Sequence, residues 1–75
     1  PMKAPVTVSF EWVEPDMRRD KDNISSAKKY VLDGLVALGI IENDNWKWIA
    51  GSLADTYKVN KANPRVIVTL EGELA

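Results

Sequence analysis

Val6, Val8, Phe10 and Trp12 alternate with Thr7, Ser9 and Glu11, the period-two signature of a strand with one buried face. Pro5 and Pro15 bound the run, because proline cannot donate to a strand ladder. Asp16 to Asn23 is polar and reads as a loop. From about Ile24 to Leu38 the period changes. Ala27, Tyr30, Val31, Gly34, Leu35 and Leu38 recur at three- and four-residue spacing and predict the apolar stripe of a helix. Asp22, Asn23 or Ser25 can cap its start, and Gly39 suits the position just past its end.

A short connection, Ile40 to Asn45, leads to a second predicted strand over Trp48 to Val59. Ile49, Leu53, Tyr57 and Val59 share one face of it, and Ser52, Thr56 and Lys58 share the other. Asn60 to Pro64 then predicts the turn of a hairpin. The last strand, Arg65 to Glu71, points Val66, Val68 and Leu70 inward. The order strand, helix, strand, strand predicts a two-layer α+β domain, with one helix packed on a small three-stranded sheet. Its second face (Thr7, Ser9, Ser52, Thr56, Thr69, Val13 and Ile67) is left open to solvent, a partner subunit or a further segment.

Seventy-five residues allow one domain. A chain of this size buries only roughly 60% of its unfolded surface, so its stability should be marginal. With 45% hydrophobic and 28% charged residues it still has the composition of a folded protein. The absence of cysteine and histidine excludes disulfides, thiol chemistry, histidine-dependent triads and zinc sites built on those ligands. Carboxylates, amines, guanidiniums, hydroxyls and oxygen-bound hard metals remain. No apolar stretch is long enough to span a bilayer and no signal peptide is visible, so a cytoplasmic location is expected. A net charge of −1 argues against coating nucleic acid by bulk electrostatics.

The charge is nonetheless concentrated. Glu14, Asp16, Arg18, Arg19, Asp20, Lys21, Asp22, Lys28 and Lys29 fall within sixteen residues. Asp20 and Asp22, two residues apart at the helix entrance, can converge on one hard cation, and Asp44 follows the helix as a third acid. Aspartates at a helix start also have an ordinary reason to be there, since the macrodipole favours them. An EF-hand beginning at Asp20 fails, because Ile24, Ser25 and Val31 occupy its fifth, sixth and twelfth places.

Arg18-Arg19-Asp20-Lys21-Asp22-Asn23, then Leu32-Asp33-Gly34-Leu35, then Gly39 and Asn43-Asp44, resemble the RusA family of Holliday-junction endodeoxyribonucleases, often carried by phages and prophages. The match runs from about Phe10 to the C-terminus. It implies magnesium-dependent cleavage of four-way DNA junctions in recombination and repair, by a homodimer in a bacterial cytoplasm, with manganese as a substitute metal. By position, Asp20, Asp22 and Asp44 match the family's catalytic, metal-holding acids. In the best-known pattern a catalytic lysine lies four residues after the second aspartate, where Ser26 stands here. Aligned backwards from Leu32-Asp33-Gly34-Leu35, with three extra residues in this chain, that lysine becomes Lys29, with Lys28 its competitor. Arg18, Arg19, Lys21 and Lys28 are then candidates for phosphate contact; balancing the neighbouring acids is the alternative. Family members usually carry a further segment before the first strand, and Pro1 precedes Met2 here, so the chain is expected to be the C-terminal part of a longer family domain. A non-catalytic DNA-binding or assembly module is the competing expectation.

Two geometric questions follow. A helix from Ile24 to Leu38 is roughly 22 Å long, and Gly39 to Asp44 reach at most about 20 Å. Asp44 therefore approaches Asp22 only if its segment runs straight back beside the helix; otherwise its partners belong to a second subunit. Trp46 and Trp48 either stack on exposed bases or pack beside the second strand.

Overall fold

The computed structural model describes residues 1–51 and 53–75, so the placement of Ser52 on the open face lies outside the described residues. The elements are β1 (Thr7–Glu14), α1 (Lys21–Ser25), α2 (Lys28–Ala37), β2 (Ala54–Val59) and β3 (Arg65–Glu71). The α+β class and the strand, helix, strand, strand order hold, with the helix in two segments.

β1 is the centre. Val6 and Val8 are fully buried, Phe10 and Trp12 nearly so, and the rings of Phe10 and Trp12 stack with centroids 5.3 Å apart. A strand this apolar on one face gains most when both of its edges are also paired, and the sheet order is β2-β1-β3. β2 runs parallel to β1, matching Phe10 with Asp55 and Trp12 with Tyr57. β3 runs antiparallel on the other edge, matching Val8 with Leu70 and Phe10 with Val68. The expected hairpin is thus absent: β2 and β3 flank β1 and do not pair with each other. Asn60–Pro64 is too long for a two-residue hairpin turn. It crosses the end of β1 instead, where the Asn60 amide donates to the Glu14 carbonyl (2.9 Å).

The helix also differs from expectation. It starts at Lys21 and breaks at Ser26–Ala27. The hydroxyls of Ser25 and Ser26 donate back to the carbonyls of Asp22 (3.4 Å) and Asn23 (2.6 Å), the local competition that makes serine a poor interior helix residue. Restarting at Lys28 sets the phase of α2. Leu32 is buried and Val31, Leu35 and Val36 pack beside it. Tyr30, two residues and about 200° away from Leu32, is exposed. Leu38, in the capping turn, is exposed too, so neither belongs to the apolar stripe. Gly39 adopts φ +74°. Its amide donates to Val36 and the Ile40 amide to Leu35, closing the helix in a Schellman motif.

The second strand is shorter than expected. Ile49 makes an isolated parallel bridge to Val6, and the regular ladder resumes only at Ala54. Gly51, at φ +61°, interrupts it. Thr7, Ser9, Val13, Thr56, Ile67 and Thr69 share the face away from the helices, as their ladder partners require, but that face is not open throughout, because Val13 is buried (2% exposed). Among the described residues no helix is long and apolar enough to cross a membrane.

The burial asymmetry gives a direct test. Phe10→Ala should destabilise the domain by about 3–5 kcal/mol. Ile67→Thr on the opposite face should cost about 1 kcal/mol or less. Urea unfolding midpoints of the two variants read this difference, and equal losses would contradict the assignment of faces.

Candidate functional site

The chain leaves β1 through an acidic and basic turn whose charges pair locally. Arg18 lies 3.6 Å from Asp16, and Arg19 lies 3.6 Å from Glu14. The exposed Arg18–Asp16 pair contributes between nothing and about 1 kcal/mol, so Arg18 can exchange its carboxylate for a phosphate at little cost, whereas the Glu14 that Arg19 meets is largely shielded. Asp20 sits at the N-cap of α1 in extended conformation, yet its side chain caps no amide. Asp22 follows two residues later, within the first turn. Both are exposed, and neither carboxylate has an ion pair or hydrogen bond among the described residues.

α1 has only five residues, and tertiary contacts hold it. Ile24 is buried beneath it. The Tyr57 hydroxyl donates to the Lys21 carbonyl (3.4 Å), and the Lys21 ammonium stands 5.2 Å from the Tyr57 ring centroid. Between this helix start and the end of β2 lies an open cleft of about 500 Å³, with Asp16, Arg19, Asp20, Lys21, Tyr57 and Lys58 on its walls.

The segment after α2 runs back beside the helix, as the length argument required for contact within one chain. Asp44 comes within 3.9 Å of the Lys29 ammonium, which also donates to Asp33 at 2.9 Å. The Asp33 hydrogen bond, then the charges of Asp33 and Asp44, hold the Lys29 ammonium above its ordinary pKa. Lys29 therefore stays cationic through and beyond the neutral range. Its share of stability is complete below the unfolded pKa and fades only as the pH rises through the higher folded value.

The three acids do not meet. Among the described residues no group of three carboxylates gathers that could hold a metal ion. Asp44 sits with Lys29, while Asp20 and Asp22 form a separate, unengaged pair. Magnesium commonly takes only one or two protein carboxylates plus substrate phosphate, so two exposed, unengaged acids are a sufficient donor set, and Asp44 does not complete a group of three among the described residues.

Of the two candidate lysines, Lys28 turns inward. Its ammonium lies 2.6 Å from Asp55 Oδ2 and 5.5 Å from the centroid of Phe10. Asp55 Oδ1 accepts from Trp12 Nε1 at 2.8 Å. Lys28 is therefore already engaged in a half-buried pair, and the phosphate role expected of it is not where the structure puts it. Asp55 itself escaped the sequence reading, although a signal was present. It shares strand parity with Tyr57 and Val59, so an acid stood at an inward position and needed a partner. The tryptophans divide as well: Trp48 packs against the core, while Trp46 is 99% exposed.

Compared with protein-family models, curated proteins and solved structures, the chain matches none of them.

Partial burial pushes the Asp55 carboxyl up, but the hydrogen bonds from Lys28 and Trp12 and the Lys28 charge outweigh it and leave the pKa below 3.8. The stability this contributes is present above the unfolded pKa and is lost as the pH falls through the lower folded value. Asp55→Asn should cost about 1.5–3 kcal/mol at neutral pH, the range for a hydrogen bond to a charged group. The gap between parent and variant should close between about pH 5 and pH 2 in thermal melts. A gap that persists unchanged into acid would contradict the ion pair.

Proposed function

We propose that the chain is a magnesium-dependent, structure-selective DNA endonuclease of the RusA type, acting on four-way junctions. One observation carries the reading. The lysine that the motif alignment selects, Lys29, stands beside the motif's last acid, Asp44, although fifteen positions separate them, while its competitor Lys28 is tied to Asp55. The Arg18–Asn23 part of the motif occupies the exposed entrance of α1, where a phosphodiester has access.

Asp20 and Asp22 would hold the metal, which when bound polarises the phosphate and lowers the pKa of water. Arg18, Arg19 and Lys21 would take the neighbouring phosphates, exchanging weak surface contacts for charge-assisted ones. Lys29, kept cationic by Asp33 and Asp44, would face the negative charge that grows on the phosphoryl oxygens. A water oxygen bonds to phosphorus and the bond to the 3′ oxygen breaks. The water proton goes to solvent and the 3′ oxygen takes a proton back, leaving a 5′ phosphate and a 3′ hydroxyl. Within one chain Asp44 serves Lys29; acting as a third metal ligand would require a second copy.

A homodimer suits this chemistry, since a four-way junction is cut on two symmetry-related strands. Both β2 and β3 are edge strands, and exposed Val59, Val66 and Ile67 lie near their linked ends. Self-association would cover such edges and apolar positions.

On a labelled junction in magnesium, Asp20→Asn should abolish cleavage while retaining binding; cleavage at the parent rate would remove Asp20 from the site. Failure of the parent to nick the junction at any magnesium concentration would favour a non-catalytic DNA-binding module. Lys29→Met should lower the cleavage rate by about 100-fold or more and the melting midpoint only slightly, since its pairs with Asp33 and Asp44 are exposed. Lys28→Met should instead lower the melting midpoint. Sedimentation at micromolar concentration should give a dimer with junction bound, and a monomer under those conditions would contradict the two-site mechanism.

A further inference from the structure

We infer that the free edge of β3 is a self-association surface, on which a second copy of this chain adds its own β3, antiparallel and in one register. The inference rests on the sheet edge and stands without the nuclease reading, although it names the interface that the proposed dimer would use. β3 ends the sheet order β2-β1-β3. The direction of its unpaired groups follows from β1. Just before that strand, the Val6 amide donates to Trp48 and the Val6 carbonyl accepts from Ala50; at its end the Glu14 carbonyl accepts from Asn60. Even-numbered residues of β1 therefore direct their backbone groups to the β2 side, and Thr7, Ser9, Glu11 and Val13 direct theirs to β3. Their ladder partners are Glu71, Thr69, Ile67 and Arg65. The amides and carbonyls of Val66, Val68 and Leu70 consequently point out of the sheet, and no other backbone among the described residues bonds to them.

The two edges of the sheet are not equally open to a further strand. β2 carries Asp55 and Lys58 within its length, Asp55 tied to Lys28 and Trp12, and Lys58 lying 2.7 Å from Glu11. Charges inside an edge strand guard it against further pairing. β3 lacks that guard. From Val66 to Leu70 it reads Val-Ile-Val-Thr-Leu, with no charge, proline or glycine, and Val66 and Ile67 are exposed. Its charges stand only at its two ends, as Arg65 and Glu71, and neither has an ion pair among the described residues.

Those end charges select both the occupant and the register. When β3 pairs antiparallel with a copy of itself, centring the two-fold on Val68 matches the strand along its whole length. Arg65 then faces Glu71 of the second copy at both ends, Val66 faces Leu70 and Ile67 faces Thr69. Moving the centre to Ile67 sets Arg65 opposite Thr69, and moving it to Thr69 sets Glu71 opposite Ile67, so either slip loses the charge match. Arg65 and Glu71 bond back to β1, which makes them a non-hydrogen-bonded pair across the new edge, where facing side chains come closest. The contact is isologous, as a two-fold requires. Directly opposed residues share a face, so both helix layers would lie on one side of a continuous sheet, and both entrances of α1 with them.

The test reads self-association of the full chain by sedimentation from micromolar to millimolar concentration, without DNA. The parent should dimerise. Arg65→Glu and Glu71→Arg should each weaken dimerisation by roughly 5- to 30-fold, since each sets like charges opposite one another at both ends. Both substitutions in one chain should restore most of the loss. The two side chains are exposed, so thermal melts of the dilute protein should hardly change. Val68→Cys gives a second readout, because the chain has no cysteine. A hydrogen-bonded antiparallel pair holds its Cα atoms about 5.5 Å apart, within reach of a disulfide. Mild oxidation should therefore link two copies in native buffer and not in urea. Monomer throughout the concentration range would overturn the interface; if a dimer then formed only on junction DNA, the two-site reading would stand on another contact. Dimerisation untouched by either charge reversal, or a Val68→Cys dimer that oxidation fails to link, would also overturn it. Loss in both single variants without recovery in the double variant would overturn the register.

Discussion

The structure depends on β1 being buried on one face and paired along both edges. With Val6, Val8, Phe10 and Trp12 all inward, this strand carries much of the apolar burial in a domain too small to have a second core. Everything else is arranged around satisfying it. α1 and α2 carry the chain across to bring β2 in parallel on one edge, and the link at Asn60–Pro64 carries it past the strand end to bring β3 onto the other. That topology, more than any local preference, decides which side chains meet. Pairing Phe10 with Asp55 and Trp12 with Tyr57 places an acid and a phenol under the two helices. Those two residues then secure Lys28 and Lys21.

The charges sort by what surrounds them. Lys28 and Asp55 are mostly shielded, Asp55 also accepts from Trp12 and the Lys28 ammonium lies over the Phe10 ring, so breaking either side leaves a poorly solvated partner. The Arg18–Asp16 pair stands in solvent and loses little when separated, and Arg19 reaches out to the shielded Glu14 across 3.6 Å. Ion pairs in different surroundings thus have different duties between Glu14 and Asp55. The Lys28–Asp55 pair fixes the phase of α2, so that successive lysines point to different places, Lys28 to the core and Lys29 to Asp44. The Arg18–Asp16 pair keeps a cation near the α1 entrance without committing it.

Much of this was legible in the sequence wherever one residue's neighbours along the chain settle its surroundings. The alternation in β1 and the glycine that closes α2 follow from local pattern; Val13, expected on the open face, is buried at 2%, and Val66, expected inward, is exposed. The misreadings come from choices between distant parts. Asn60–Pro64 reads as a hairpin turn because adjacent strands usually pair, and nothing nearby in sequence shows that β1 still lacks a neighbour on its other edge. Tyr30 fits an apolar stripe only if the helix is continuous; two serine hydroxyls bonding backwards are enough to reset the phase and turn it out. Asp55 needed its inward parity weighed against its charge, which would have asked for a cation such as Lys28. For the candidate site, chain length left Asp44 either to reach Asp22 or to find its partners in a second subunit; the return path of Gly39–Asp44 brings Asp44 to Lys29 instead, a pairing that neither alternative offered.

The weakest mechanical part of the site is the one that carries its free acids. A five-residue helix does not stand alone in water, because nucleation costs more than so few hydrogen bonds return. α1 persists because Ile24 is buried and Tyr57 holds the Lys21 carbonyl. Asp20 and Asp22 add a like-charge pair at this end, offset in part by the favourable field of a helix N-terminus. Opening of α1 is therefore resisted mainly by one aliphatic side chain and one phenol. A multivalent cation or a row of phosphates acting on Arg18, Arg19 and Lys21 would work in the same direction as those two contacts. The acids thus sit on an element whose order increases when the charges around them are matched, while the stacked rings of Phe10 and Trp12 beneath keep the sheet itself unchanged.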